Sequence, residues 1–409
     1  MALATSYNIS GVQGARENLE NLLKTVEPTE TPLFSFLPQS AAPKATLNEW
    51  LVDSLADPSL NGQVDGVDYS LNDMSDLINS RARLGNRIQT IQDRFSISRQ
   101  SEMVDVAPNG QNGLYNASKA KSLIQLKRSI ESIIGSSTDQ AAGSSSAGSL
   151  LCGLGKWSDP AATGNTFDTS LKQGFRSVSG SRVDFANLTE ANLRGLLQAV
   201  YEASGAKGSY KLFASPAVMN AITDYTRSTV NAGNIQYTQD VSGKTLIRSI
   251  ISYVSDFGSI DVIPMLHGGR GISQAVTGAS NADPIVVDCV GHGFADGDKV
   301  TISGVLGNTA ANGTHTVANK TADTFELSGV AGNGSYVSGG KLTAGTDTAE
   351  GVINSNRAYL ISDDDNVSLK FLEGITVNDL PDNGAGRRAI SEAMLTLRVA
   401  NPRALGSIV

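Results

Sequence analysis

Three histidines, His267, His292 and His315, are the side chains of this 409-residue chain best suited to proton transfer or metal binding near neutral pH. None has a second His or Cys at the spacing that a metal site requires. Cys289 and His292 stand three residues apart, on a predicted strand and the turn after it, with no second pair to complete a site. Gly243-Lys244-Thr245 has the form of the end of a phosphate-binding loop. The position that needs the first glycine of such a loop is Thr238, so the backbone cradle is missing. Asp363-Asp364-Asp365-Asn366 gathers carboxylates without the spaced ligands of a Ca²⁺ loop and reads as a turn between strands. Neither a Gly-x-Ser-x-Gly elbow nor a Gly-x-Gly-x-x-Gly run occurs. The expectation is a protein that is not an enzyme and uses no cofactor or metal.

The bulk properties fit an extended, turn-rich architecture with two or three cores. Aromatic residues make up only 6% of the chain, against 42 glycines. A net charge of −8 argues against tight binding of nucleic acid, which depends on neutralising phosphates. Two widely separated cysteines, Cys152 and Cys289, exclude a small disulfide scaffold and read as two unrelated reduced thiols, with a single buried pair as the alternative. The first residues, Met1 to Ser6, have no basic residue and no apolar run behind them, so no signal peptide is expected. No stretch approaches the ~20 apolar residues of a membrane span.

The elements follow from periodicity. Residues 1–43 read as an arm, with a helix over 14–26 (Leu19, Leu22, Leu23, Val26) stopped by Pro28 and Pro32. Extended chain follows over 33–43, with Phe34, Phe36 and Leu37 in need of cover from the chain's own core or from another subunit. Residues 44–105 read as a long hairpin with strands at 47–55 and 87–97 and a polar tip at 58–76. Arg81, Arg83, Arg87, Arg94 and Arg99 lie on one arm of it; Asp53, Asp57, Asp65 and Asp68 lie on the other side of the tip. They are either solvated or paired with a neighbouring subunit. The spacing of Leu123, Leu126, Ile130, Ile133 and Ile134 predicts a long helix over 114–135, stopped by Gly135. A Ser/Gly/Ala-rich loop follows at 136–149. Mixed α/β chain then runs from about 150 to 270. Asn187-Leu188-Thr189-Glu190 opens one helix, and Ser215-Pro216 opens a second reaching about 225. Strands are predicted at 210–214 and 258–264.

Helical periodicity vanishes between about 275 and 347. Short β runs at 285–290, 299–303, 314–317, 324–327 and 341–343 alternate with turn signals such as Asn312-Gly313. This reads as a small barrel or sandwich inserted in a host loop. Seven carboxylates (Asp283, Asp288, Asp296, Asp298, Asp323, Glu326, Asp347) face three lysines (Lys299, Lys320, Lys341), so the unit should face water rather than DNA, on an outer surface where it serves either contact between subunit clusters or weak adhesion to a host surface. The host resumes at 357–361 and ends in a strand over 394–400.

Five places together resemble the major capsid proteins of tailed bacteriophages of the Hong Kong 97 fold. Thr31-Pro32-Leu33-Phe34 with the strand around Trp50 looks like the arm and the start of the extended loop. Asn86-Arg87-Ile88-Gln89 resembles the returning strand, and Lys127-Arg128-Ser129-Ile130-Glu131 lies on what would be the spine helix. Residues 188–225 look like the helical part of the axial domain, and 392–409 like the closing strand of the peripheral domain. Residues 291–300 with 321–327 resemble a small β module appended to many phage virion proteins. The resemblance implies an α+β fold divided into an arm (1–43), extended loop (44–105), spine-helix segment (106–150), axial domain (151–274), inserted β domain (275–347) and a return to the axial and peripheral domains (348–409). It implies a shell of hexamers and pentamers, assembled in the host cytoplasm. A portal, separate scaffolding or decoration proteins, and enclosed double-stranded DNA held without specificity would be its partners; no membrane is expected. Arg81, Arg83, Arg87, Arg94, Phe34 and Phe36 are the expected contacts between subunits. A tail or baseplate protein, or a surface-displayed β-rich binding protein, is the alternative.

Overall fold

The computed structural model describes residues 28–409 apart from 56–57, 59–64, 67–80, 105–112, 145–147, 206–207, 225–237, 240–245, 248–251, 269–273, 290–291, 293, 295, 298, 322, 345–356, 363–364 and 382–385. The helix expected over 14–26, most of the hairpin tip, Gly243-Lys244-Thr245 and Asp363-Asp364 lie outside the described residues.

Two sheets carry the main body. A four-stranded sheet has the order Gln39–Ser40, Val367–Leu380, Gly386–Val399, Gln89–Ser98. Its first pair is parallel and the others antiparallel. The helix Leu114–Ile134 packs Leu126, Ile130 and Ile134 into one core with Leu369, Leu395 and Leu397 of this sheet. Gly135 ends the helix as the sequence predicts. A Cβ there would meet the Gly268 carbonyl oxygen at 2.5 Å, so only glycine allows this close approach of two backbones.

The second sheet has the order Arg182–Val183, Gly406–Ile408, Ala358–Ser362, Gly208–Ala214, Gly258–Pro264, Ser252–Ser255. Helices Glu190–Ser204 and Pro216–Thr223 bury Leu193, Leu196, Leu197, Val200, Val218 and Ile222 in a core with Tyr210, Leu212, Ile260 and Ile408. Ser215 and Pro216 open the second helix as expected.

Residues 274–344 form a seven-stranded sheet with a core of its own, including Ile285, Val287, Phe294, Val300, Phe325 and Leu327. The order is Gln274–Ala275, Ser338–Ala344, Lys299–Leu306, Gly313–Ala318, Thr324–Leu327, Ile285–Asp288, Gly278–Ala279. The two outermost members are one run of chain. Gln274 and Ala275 pair with Leu342 and Lys341; Gly278 and Ala279 pair with Asp288 and Val287. Between them the Val276 N–H donates to Gly340 O and the Thr277 N–H to Asp288 O. The first strand therefore joins both edges and closes a barrel, which leaves no open edge to template aggregation.

Four expectations need correction. The partner of Leu47–Val52 is Ala82–Arg87, not residues 87–97. Gln89–Ser98 instead pairs along Gly386–Val399 in the four-stranded sheet. Alternation in a strand reports which face is buried, not which strand lies beside it. The arm is not extended after Pro32: Pro32 opens a short helix, Pro32–Phe36, because proline is favoured in the first helical turn. The helix cap is Thr189 rather than Asn187; its side chain accepts from the Asn192 N–H, and residues 185–187 form a separate turn. The closing segment is split. Gly386–Val399 is a longer strand than expected, and Gly406–Ile408 crosses into the six-stranded sheet.

One buried amide ties these parts together. Asn86 Nδ2 donates to the carbonyls of Leu397 (2.8 Å) and Cys152 (3.0 Å), and its Oδ1 accepts from the Cys152 N–H (2.7 Å). Asn86→Ala should cost about 2–4 kcal/mol, because it leaves three buried backbone groups without partners. Urea unfolding of the unassembled subunit measures this. A loss below about 0.5 kcal/mol would mean that water or a local shift replaces the clamp.

Candidate functional site

Among the described residues, the hairpin is one of the features that look outward. On the hairpin, Ala82, Leu84 and Asn86 point inward and are buried, while Arg81 and Arg83 alternate outward. Trp50, from the opposite strand, packs on Trp157 with ring centroids 5.7 Å apart, and Trp157 meets Phe167 at 5.4 Å. That aromatic stack fixes the hairpin base on the main core. Further out the apolar cover ends: Leu51 is 68% exposed and Leu55 98% exposed. An exposed pair of this kind on a two-stranded ribbon is what a neighbouring molecule would cover.

Within the chain Arg81 Nε pairs with Asp53 Oδ2 at 2.9 Å, and Arg83 Nη1 lies 3.6 Å from Glu49 Oε2. Both pairs are well exposed and worth little as stability. Arg87 is half-buried and lines a polar cavity of about 390 Å³ at the hairpin base, together with Glu49, Gln140, Asp168 and Lys172. Arg94 is exposed on the four-stranded sheet, where its Nη2 donates to Gln92 Oε1 at 2.9 Å. Arg81, Arg83 and Arg87 thus share the hairpin, whereas Arg94 sits apart from them on another sheet.

The arm segment is covered by the chain itself. Leu33 and Leu37 are buried; Phe34 meets Phe371 edge-on at 6.3 Å, and Phe36 lies 5.2 Å from Phe213. Phe34 and Phe36 keep part of their surface exposed.

Beneath the arm lies a buried carboxylate that the sequence reading passed over. Glu131, between Ile130 and Ile134 in the apolar stripe of the long helix, is fully buried. Its Oε2 accepts from the Phe34 N–H at 3.3 Å, and Oε1 has no hydrogen-bond partner. Desolvation pushes this carboxyl up to about 7, against the lowering effect of the Phe34 and Leu33 N–H groups. A second network at the far end of the four-stranded sheet was also not foreseen. The Tyr115 hydroxyl donates to Asp379, Arg387 lies over the Tyr115 ring at 4.0 Å, and Arg387 pairs with Glu102 at 3.1 Å. Such groups leave a faint sequence signal: a polar residue at a position whose neighbours on the same face are all apolar.

The histidines and cysteines do not converge on one place in the fold. His267 Nε2 lies 3.1 Å from Pro28 O and is buried. His292 stacks on Phe294 and meets Phe325 edge-on, and the Phe294 N–H donates to its Nδ1 at 3.1 Å. Burial lowers the pKa of His292. His315 lies on the barrel strand Gly313–Ala318. Cys152 and Cys289 are free, buried thiols; burial pushes Cys152 up strongly and Cys289 to about 11. Among the described residues no group of three or more His, Cys, Asp or Glu side chains is placed to hold a metal ion. No described helix is long and apolar enough to cross a membrane.

Glu131 gives the subunit a pH dependence of defined sign. Its carboxyl rises from the ordinary 4.5 to about 7 on folding, so folding takes up a proton between those values. Its contribution is fully present below about pH 4.5 and is lost as pH rises through 7. Relative to Glu131→Gln, the wild-type subunit should lose on the order of 2–3 kcal/mol between pH 4.5 and pH 8. Denaturant titrations of both proteins across that range check it; parallel curves would show that Glu131 does not take up the proton.

Two family models match parts of the chain. The model of the SU10 major capsid protein family matches residues 4–267. A second model, of the ubiquitin-activating enzyme E1 FCCH domain, matches residues 283–344, within the barrel. A search of curated proteins finds no match. Among solved structures, a chain of Mycobacterium phage Ogopogo is similar at 10% identity and a TM-score of 0.49, with 96% of each chain covered. The capsid of cyanophage P-SCSP1u is similar at 9% identity and a TM-score of 0.48, over 96% of this chain and 92% of that one. The capsid asymmetric unit of cyanophage Pam1 is similar at 10% identity and a TM-score of 0.45, over 99% of both chains. With a capsid family model spanning well over half of its length, the chain belongs to the SU10 major capsid protein family.

Proposed function

We propose that this major capsid protein builds the icosahedral head of a tailed double-stranded DNA bacteriophage by self-assembly into hexamers and pentamers. The observation that carries this reading is the capsid family match over residues 4–267, which contain both the hairpin and the arm. Within it the chain divides as arm 1–43, extended loop 44–105, spine-helix segment 106–150, axial domain 151–274, inserted β domain 275–347 and closing segment 348–409. The hairpin lies over a neighbouring subunit, with Leu51 and Leu55 covered there and Arg81, Arg83, Arg87 and Arg94 meeting carboxylates of that neighbour. Phe34 and Phe36 add their exposed edges to the same contact. The net charge of −8 suits a wall that encloses DNA without gripping it. Assembly in the host cytoplasm, a portal, and separate scaffolding or decoration proteins belong to this reading. The barrel faces outward, where its acidity does not oppose packaged DNA.

Electron microscopy of the purified protein should show pentamers, hexamers or closed shells. A subunit that stays monomeric under all assembly conditions would overturn the reading. Single alanine substitutions at Arg81, Arg83, Arg87 or Arg94 should change assembly little, since exposed pairs are worth about 0–1 kcal/mol each. The fourfold substitution should reduce particle yield severely while leaving the subunit folded; unchanged yield would remove these arginines from the interface. Replacing residues 275–347 by a short Gly/Ser linker should leave a soluble subunit with its helices intact, and an insoluble product would make the barrel part of the main core.

A further inference from the structure

The charges of the barrel are distributed unevenly along it. Residues 303–314 and 328–340 contain no Asp, Glu, Lys or Arg, although 18% of the whole chain is charged. Both segments lie at one end of the barrel. The first carries the end of strand Lys299–Leu306 and the turn into Gly313–Ala318; the second leads into Ser338–Ala344. Lys320 and Asp323 lie in the turn at the opposite end, between Gly313–Ala318 and Thr324–Leu327. The charged residues beside the neutral end are Asp283, in the adjoining turn whose Ala282 carbonyl accepts from Gly332 N–H, and Lys341, which pairs with Ser303.

The neutral end is also built to hold its shape. Asn333 Oδ1 accepts from the Ala310 N–H (3.0 Å), and its Nδ2 donates to Thr309 Oγ1 (2.8 Å). Asn308 Nδ2 donates to Ser280 O (2.8 Å), while Asn308 Oδ1 accepts from the Asn333 N–H (3.2 Å). Asn312 clasps both backbone groups of Val305, at 2.9 and 3.0 Å. The Tyr336 hydroxyl bonds to Val276 O and Gly339 O. From this locked frame two aliphatic side chains project into solvent: Leu306 is 57% exposed and Val337 is 71% exposed. Leu306 ends one strand and Val337 immediately precedes its neighbour, the two joined by the Val337 N–H donating to Leu306 O at 2.9 Å. Two exposed aliphatics on a rigid, uncharged end cost little order to bury, which is the condition for a preorganised contact.

We propose that this end of the barrel, centred on Leu306 and Val337, is a contact between copies of the chain, each barrel meeting the same end of a barrel on a neighbouring subunit. The occupant follows from charge. The barrel region has seven carboxylates against three lysines, so identical copies that approach by most of its surface repel one another. The neutral end is where two copies meet with the least like-charge cost, and a self-complementary patch of this kind suits a twofold contact. Each contact is small and weak alone. Many repeat in one particle, so the contacts add by multivalency. This inference rests on the shell reading and adds to it the identity of the barrel's partner.

The test uses full-length protein. Val337→Cys places an accessible thiol at the neutral end, whereas native Cys152 and Cys289 are buried. A short bismaleimide should link Val337→Cys chains into dimers in assembled particles and not in unassembled subunits. Lys320→Cys, at the charged end, should link at least about tenfold less. Leu306→Asp combined with Val337→Asp should make particles dissociate about tenfold faster in dilute denaturant, with the melting of the unassembled subunit unchanged. Should the aspartates disturb folding, Val337→Ser serves the same measurement. Particles in which Val337→Cys chains stay unlinked, or in which Lys320→Cys chains link instead, overturn the contact. So does a tip that binds host envelope while the barrels stay unlinked. A folded wild-type subunit that forms no particles fails at an earlier step and counts against the shell reading itself.

Discussion

The architecture depends on how a two-stranded ribbon is rooted in a packed body. A lone hairpin is marginal in water, so its base must be held by something other than its own ladder. Here the root is a continuous run of chain. Ala82–Arg87 belongs to the ribbon and Gln89–Ser98 to the central sheet, with Ile88 between them donating its N–H to Thr46 O at 2.9 Å. Asn86 sits at that junction and saturates backbone groups from two other segments, around Cys152 and Leu397. A buried polar side chain at such a joint sets register as well as contributing energy, because a slip by one residue would leave its partners unpaired. The Trp50–Trp157–Phe167 stack then supplies apolar burial on the same base.

The titratable side chains that look like chemistry in the sequence are absorbed by structure. His292 is a ring in an aromatic cluster, and Cys152 and Cys289 are small buried apolar groups. Two further groups that burial pushes up, Glu131 and Tyr115, sit where separate elements meet: the arm on the long helix, and the long helix on the far end of the sheet. Burial at joints shifts proton affinity as effectively as burial in an active cleft does, and the surroundings tell the two apart. Among the described residues, those around Glu131 belong to the arm and the long helix.

The barrel solves a different problem. A seven-stranded sheet made of short strands would have two open edges, each a hazard in a protein present in many copies. Running one strand across both edges removes them. What remains for interaction is shape and charge at the barrel ends, and these differ, since the segments 303–314 and 328–340 at one end carry no charged residue while Lys320 and Asp323 lie at the other.

The sequence by itself determined the local elements. The stripe of Leu126, Ile130 and Ile134 with Gly135 after it specifies the long helix and its stop, because a 3.6-residue period and a terminal glycine depend only on neighbours in the chain. Ser215-Pro216 specifies a helix start for the same reason. The loss of helical period over 275–347, with repeated turn signals, marks the β unit and five of its strands. Only the tertiary structure decided what those elements touch. Two-residue alternation is the same whichever strand lies alongside, so Gln89–Ser98 reads equally well as hairpin or as central sheet. Barrel closure depends on one run bridging two edges, at Val287–Asp288 and Lys341–Leu342, that lie far apart in the sequence. Asn86 and Glu131 become structural centres only when segments distant in sequence supply their surroundings: Cys152 and Leu397 for one, Phe34 for the other. The outward features were only partly legible for the same reason. Phe34 and Phe36 are apolar in any reading, but whether their own core covers them is settled by Phe371 and Phe213, far along the chain.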